Sequence, residues 1–269
     1  MAEKKTTAAA KKPVEKKDRK KLRGALLVIL GLVLITAALI FGMIWLKGAL
    51  FHRNQRFALR EVTVTGSGYW KTHPKELASR LELNNGINLF SFKLREIRKK
   101  ILAVPNVESC TVVRILPDTL VIHVTERVPR AFINSPRSPW VLDSKAVVMP
   151  RNQVMGNPGR LPVITGVDTR RITPGKELRE LRTALELIML TVRNFRDITI
   201  YEISIRNPEK MSVLLRYGRF PLCRVLIPVK NKGLSLMLLT LQSAIINTRR
   251  AGENKNTYDL SFEGKVVIR

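Results

Sequence analysis

The chain has 269 residues, 45% of them apolar, a share that suits a folded protein rather than a disordered polymer. Forty-eight Lys and Arg against 21 Asp and Glu leave a formal charge of +27, so anionic partners and surfaces are favoured. Two cysteines and three histidines exclude a disulfide-framed miniprotein and any zinc site of familiar spacing, and no metal or cofactor is expected.

Residues 1–23 carry ten Lys or Arg and three acids, and residues 1–24 lack aromatic side chains. Such a segment cannot bury enough apolar surface to fold and reads as a disordered basic tail. Each basic residue near an anionic membrane contributes about 1 kcal/mol of attraction. A DNA-binding arm is the sharper reading. Without aromatic interleaving or a folded reader, no specific nucleic acid is expected.

Residues 25–46 hold 22 positions without a charge, and Thr36 is the one clearly polar side chain among them. As a helix this stretch spans roughly 33 Å, enough for a bilayer core of about 30 Å. A cleaved signal peptide has an apolar region of about 7–15 residues, and no small-x-small site follows here. Up to residue 60 the far flank carries only Lys47, Arg53, Arg56 and Arg60. That bias predicts a single-pass helix with the N-terminus cytoplasmic and everything beyond it exported. Trp45 and Phe51 are candidate anchors at the far interface, and residues 47–56 read as a linker.

Residues 57–128 read as strand, helix, helix, strand, strand. Leu59, Val62 and Val64 are the apolar positions of the first strand, which stops at Gly66-Ser67-Gly68. A helix begins near residues 72–74, with Pro74 at its first position and Glu76 in its first turn. Leu77, Leu81 and Leu83 point inward, and Asn84-Asn85-Gly86 ends it. Ser91 is placed to cap a second helix whose core stripe is Leu94, Ile97 and Ile101. Two strands follow, 107–116 and 120–126. In the second, Leu120, Ile122 and Val124 face the core, which sends His123 to the opposite, solvent-facing side.

From residue 129 onward short β-like runs dominate, at 131–133, 140–142, 147–149 and 161–164. Thr173-Pro174-Gly175 announces a helix with Leu178, Leu181, Leu185, Ile188, Val192 and Phe195 along one narrow face. Its length is short of the heptads a dimerising coiled coil needs, so it is expected to pack on its own sheet. Strands near 198–205, 211–217 and 224–227 precede a helix over 234–247. Residues 257–269 alternate, with Tyr258, Leu260, Phe262, Gly264, Val266 and Ile268 on one face, and read as one half-buried antiparallel strand at a sheet edge. Cys110 and Cys223 fall in different domains, so no bridge between them is expected.

The run over residues 105–131 resembles the FtsQ/DivIB family of bacterial cell-division proteins. Pro105, Val107, Val112, Arg114, Pro117, Leu120, Ile122, Val124, Glu126, Arg127, Pro129 and Ala131 carry that resemblance. Val64-Thr65-Gly66, Gly86-Ile87-Asn88-Leu89-Phe90, Leu94 with Ile97, Val141-Leu142-Asp143, Leu161-Pro162 with Gly166, and Asp259-Leu260 with Phe262 extend it over nearly the whole chain. Each motif alone is weak; their order and spacing make them specific. Lys93 stands where an Asp is usual, Cys110 where a small residue is usual, Ala146 near a usual Gly, and Ser261 where an Arg is common.

The resemblance implies an α+β protein: a single transmembrane helix, a β-α-α-β-β POTRA domain over residues 57–128, and a mainly β domain with two helices over 129–269. It also implies a non-enzymatic scaffold of the cell inner membrane, concentrated at the septum, that links early and late division proteins. Its partners would resemble FtsB and FtsL, with a segment of FtsB added as a strand to the terminal edge. Tyr258, Leu260, Phe262, Gly264 and Val266 are the candidate contacts, though a core role for their side chains is equally compatible with the pattern. Arg56, Arg60, Lys71 and Arg80 could serve a second contact surface or simply be solvated.

No GxSxG, P-loop, GxGxxG or HExxH motif is present, so no catalytic residue and no small-molecule substrate is expected. A POTRA chaperone for outer-membrane assembly would carry repeated POTRA units and a barrel. The runner-up is a binder of anionic envelope polymers or lipid surfaces, motivated by 38 basic against 18 acidic residues after position 23.

Overall fold

The computed structural model describes residues 16–52, 54–154, 159–230, 233–262 and 265–269, and the chain divides into two compact units, 1–57 and 58–269. In the first unit, α1 (Lys16–Lys47) is followed by a π-turn (Gly48–His52) and a 3₁₀ turn (Gln55–Phe57). Helix α1 begins inside the segment expected to be disordered, because Lys, Arg and Leu are good helix formers and no proline lies between Lys16 and the apolar run. Residues 1–15 of that tail lie outside the described residues. Positions Leu26–Lys47 form one helix long and apolar enough to cross a membrane, and none of it is buried by protein. Leu39 and Phe41, at 68% and 73% exposure, need hydrocarbon as their solvent.

The second unit opens with the three-stranded sheet. Its elements are β1 (Glu61–Gly66), α2 (Tyr69–Thr72), α3 (Pro74–Arg80), α4 (Leu94–Leu102), β2 (Val107–Ile115) and β3 (Thr119–Glu126). The strand order is β1-β3-β2, with β3 parallel to β1 and antiparallel to β2. Leu77, Leu89, Ile101, Leu120 and Ile122 are fully buried under the helices, while His123 faces solvent on the far side, beside Thr65. Two local readings change. Helix α3 ends at Arg80, four residues before the Asn-Asn-Gly cluster, because Glu82 enters the left-handed region at φ 56°. Ser91 does not cap α4; it closes a 3₁₀ turn (Leu89–Ser91) capped by the Asn88 side chain, which accepts from the Phe90 N–H at 2.8 Å. Lys93 holds the N-cap position of α4 without a capping side-chain bond.

Glu126, at the end of β3, caps the single turn of α2. Its carboxylate accepts from the Tyr69 N–H at 2.9 Å and the Trp70 N–H at 2.7 Å. Gly68 makes this possible: at φ 141° it adopts a backbone closed to most residues, and a Cβ there would lie 2.5 Å from the carboxylate.

The rest of the unit is a nine-stranded sheet. Its elements are β4 (Ala131–Ile133), β5 (Trp140–Leu142), β6 (Val148–Pro150), β7 (Val163–Thr165), α5 (Arg182–Asn194), β8 (Ile198–Ser204), β9 (Lys210–Tyr217), β10 (Cys223–Pro228), α6 (Leu234–Arg250), β11 (Thr257–Phe262) and β12 (Lys265–Ile268). The order is β12-β11-β10-β9-β8-β7-β4-β5-β6. Of its three parallel pairs, β7 with β8 and β10 with β11 are bridged by the crossover helices α5 and α6, while β4 with β7 is bridged by β5 and β6. Helix α5 starts later than the Thr-Pro-Gly signal, after a 3₁₀ turn (Arg179–Leu181). Its buried face is Ala184, Leu185, Leu187, Ile188 and Thr191; Val192, expected inside, is 56% exposed. At 3.6 residues per turn Val192 lies on the same side as Leu185 and Ile188, but it stands in the last turn of α5, so its place along the axis and not its face leaves it exposed. Both thiols are free and buried, Cys110 in the core under the three-stranded sheet and Cys223 in the main core. Burial pushes the Cys110 thiol up and Cys223 to about 11, so neither is reactive at neutral pH.

The two sheets meet at a polar junction. Asn106, 1% exposed, accepts from Trp70 Nε1 at 2.8 Å and donates Nδ2 to the Gln153 carbonyl at 2.6 Å. Arg127 Nη1 pairs with Asp143 at 2.7 Å, both largely buried, and Asp143 also accepts from the N–H groups of Lys145 and Val147 at 2.8 Å each. The turn closed by these bonds holds Ala146 at φ 63°, a conformation glycine takes without strain.

Replacing Glu126 by Ala strands two helix-terminal N–H groups and is expected to cost about 2–3 kcal/mol in urea unfolding followed by Trp fluorescence. Asn106→Ala leaves a buried indole N–H and a carbonyl unpaired, and about 2 kcal/mol of lost stability is expected in the same measurement.

Candidate functional site

An open sheet has two edges, each with a row of unpaired N–H and C=O groups. At the β6 edge the chain closes its own row. Val148 donates to the Lys176 carbonyl at 3.0 Å and accepts from Gly175 at 2.8 Å, while Leu178 donates to Ala146 at 2.9 Å. At the other edge, among the described residues, nothing lies beyond β12.

The terminal segment is a hairpin rather than the single strand expected. β11 is paired on both sides, parallel to β10 and antiparallel to β12, so it is interior and β12 is the edge. Phe262 pairs with Lys265, so the chain reverses between them. The Glu-Gly dipeptide between two alternating apolar runs was the available signal for that reversal.

The predicted contact residues separate accordingly. Tyr258 is fully buried, with Val225 of β10 on one side and Ile268 of β12 on the other, and Leu260 is 4% exposed; both belong to the main core. Val266 is half-buried against the same core. Phe262 breaks the alternation and is 50% exposed, because the register shifts between Asp259 and Phe262. Gly264 lies outside the described residues. Of the four basic residues considered for a second surface, Arg80 is committed to Glu76 at 2.9 Å and to the Trp70 ring, and Arg60 to Asp118 at 3.8 Å.

Sequence reasoning missed the groups that shape this edge. Thr257 and Arg269 exchange both backbone bonds, at 3.1 and 2.9 Å. In an antiparallel ladder such pairs alternate, so Arg269 and Val267 turn their N–H and C=O toward β11 while Ile268 and Val266 turn theirs outward. The helix-covered face carries the row Val213–Val225–Tyr258–Ile268, and the open face carries Ser212–Leu226–Asp259–Val267. Asp259, one of the polar positions of the segment, is 7% exposed. Burial opposes its charge, but Ser261 and Lys210 prevail and hold the carboxyl below its usual value. Ser261 donates its N–H to Asp259 at 2.9 Å, and its hydroxyl lies nearby without hydrogen-bond geometry. Lys210 pairs with Asp259 at 3.6 Å and sits 5.6 Å from the Phe262 ring centre. This cluster pins the β11 end of the hairpin, and with it the edge strand.

Among the described residues no three His, Cys, Asp or Glu side chains converge as a metal site. The arrangement offers backbone hydrogen bonding and side-chain shape.

Residues 57–127 match the family described as "POTRA domain, FtsQ-type". Over 80 residues the chain is 39% identical to the cell division protein FtsQ of Koribacter versatilis, covering 30% of this chain and 23% of that protein. It is 32% identical over 116 residues to the cell division protein FtsQ of Syntrophotalea carbinolica, covering 42% and 40%. With the cell division protein DivIB of Clostridium tetani it shares 24% identity over 194 residues, 70% of each chain. The alignments thus span about a quarter and two fifths of the two FtsQ relatives.

Asp259→Asn is expected to lower stability by about 1–2 kcal/mol at neutral pH. Because the folded carboxyl sits below its unfolded value, its contribution is complete above the ordinary Asp range and fades as pH falls through the lowered value. The gap in melting temperature between Asp259→Asn and the parent should therefore close below about pH 4.

Proposed function

Starting from a chain that belongs to the FtsQ/DivIB family of bacterial cell-division proteins, we propose that it is a non-enzymatic divisome scaffold. It is held in the inner membrane by α1, with the basic segment in the cytoplasm and the folded unit in the periplasm. There it links early and late division proteins at the septum. The partner is an FtsB-like chain, itself paired with an FtsL-like one, that docks an extended segment along β12.

The observation that carries this reading is the asymmetry of the two sheet edges. β6 is closed by the chain's own residues, whereas β12 leaves the backbone groups of Val266 and Ile268 directed outward. Strand addition satisfies such groups pairwise and lets neighbouring side chains select the guest. The exposed Phe262 ring and the basic side chains of Lys265 and Arg269 flank the edge and suit a guest with apolar and acidic positions. Tyr258 and Leu260 serve from below, by holding the hairpin on the core.

A second reading, a binder of anionic envelope polymers or lipid surfaces, is favoured by the excess of 38 basic over 18 acidic residues after position 23. It predicts association with envelope material that weakens steeply with salt.

The strand-addition reading is tested at Ile268. Proline is tolerated on an edge strand where the N–H faces solvent, so Ile268→Pro removes an outward donor while keeping the β11 bonds. Ile268 also packs against the core, so Ile268→Val, which trims that contact but keeps the N–H, is the control. Co-purification of Ile268→Pro with an FtsB-like partner is expected to fall at least about tenfold below that control, a loss of about 1.4 kcal/mol or more. Undiminished capture would overturn strand addition at β12. Deleting residues 257–269 is the poorer test, because it also removes Tyr258 and Leu260 from the core.

A further inference from the structure

The turn between β2 and β3 exposes apolar side chains that neither core nor docking edge uses. Ile115 and Leu116 are 54% and 53% exposed, and Val113 on the same strand is 48% exposed. Val113 and Ile115 lie opposite Val121 and Thr119, on the sheet face away from the helices. A tip of this kind in water is unfavourable unless something apolar covers it.

Chain connectivity identifies what is near. The turn is bonded to the residues by which the chain enters the folded unit: the N–H groups of Arg60 and Glu61 donate to the Asp118 carbonyl at 2.9 and 3.4 Å, and the Arg60 side chain pairs with Asp118. Arg60 stands only thirteen residues after Lys47, the last residue of the apolar span. Even fully extended, thirteen residues reach about 45 Å. Part of that tether is wound into the turns Gly48–His52 and Gln55–Phe57, which shortens it. The tip is thus leashed to the bilayer by its own chain. Cationic groups accompany it. The Arg60 side chain, paired with Asp118, is 77% exposed, and that of Lys93, paired with Glu96 at 3.0 Å, is 76% exposed; such exposed pairs exchange readily with water and leave both cations accessible. Lys93 follows Phe92, whose carbonyl accepts from the Arg114 guanidinium next to Ile115. Exposed apolar side chains with solvent-facing basic side chains beside them fit the boundary between headgroups and acyl chains of an anionic leaflet.

We propose that the β2–β3 turn, through Ile115 and Leu116, is an interfacial anchor that dips into the outer surface of the anionic bilayer crossed by α1. The anchor fixes the POTRA sheet relative to the membrane plane and so restricts the heights the β12 edge can reach. The proposal rests on α1 being embedded, which flotation of the reconstituted full chain checks separately.

The test uses the full chain in phosphatidylglycerol-containing vesicles, with an environment-sensitive fluorophore on Leu116→Cys or, as control, on Thr125→Cys. Thr125 is exposed and lies six residues along β3, about 20 Å away. The native cysteines are buried and label poorly. The label at 116 is expected to be quenched at least about twofold by lipids carrying a shallow acyl-chain quencher, and the label at 125 to be unaffected. Ile115→Glu, introduced into the Leu116→Cys chain, should abolish that quenching without lowering the melting temperature, since Ile115 is an exposed side chain. A label at 116 that lipid quenchers do not reach, whether solvated or shielded by a protein neighbour, would overturn the assignment even where flotation confirms that α1 is embedded.

Discussion

The unpaired edge of the nine-stranded sheet is the constraint to which much of the folded unit answers. Each open N–H or C=O is a template for another chain, and exposed edges invite uncontrolled pairing. This protein treats its two edges differently. The segment before α5 folds back on Val148 and closes one. The other is kept short, four residues in β12, and is bordered by Lys265 and Arg269. Short, charged edges resist self-association while leaving a directed partner free to bind. Because β12 is the outer arm of a hairpin whose inner arm is core, the edge is presented on a rigid support.

That support depends on buried polar groups as much as on apolar packing. Asn106 joins the Trp70 indole to the Gln153 carbonyl, and Arg127 with Asp143 closes the adjoining turn. Buried ion pairs contribute little net stability once desolvation is counted, but breaking one partner is costly, so they select one arrangement over alternatives. The two sheets accordingly belong to one compact unit, and whatever holds one sheet in place holds the other.

The charge excess acts on a different scale. Several acids in the folded unit are committed to exposed pairs, such as Lys145 with Glu108 and Lys100 with Glu82. Such pairs each contribute little to stability. The uncompensated cations shape the long-range field, which governs encounter with acidic partners and anionic surfaces rather than the fold.

The sequence by itself determined much. The uncharged run over residues 25–46 dictated a helix long and apolar enough to cross a membrane, because hydrocarbon excludes charge over that length. Period-two and period-three-to-four patterns placed β2, β3, α4 and the short strands β4 to β7 within a residue or two, because one buried face leaves an unambiguous stripe. It also showed that the segment 257–269 was β and partly core. Tertiary structure decided the rest, where pairing and not pattern carries the information. Alternation says which side chains share a face, but not where a chain reverses, so one strand became two and the predicted edge at Tyr258 became interior. Ser91 looked like the cap of α4, but it closes a separate 3₁₀ turn capped by Asn88, and Lys93 holds the N-cap position of α4, because the backbone path between the two turns is not written in local pattern. Asp259 and Lys210 are 49 residues apart, and no local periodicity could bring a carboxylate and an ammonium together across a sheet. Register across strands is a long-range property; only the packed core fixes it.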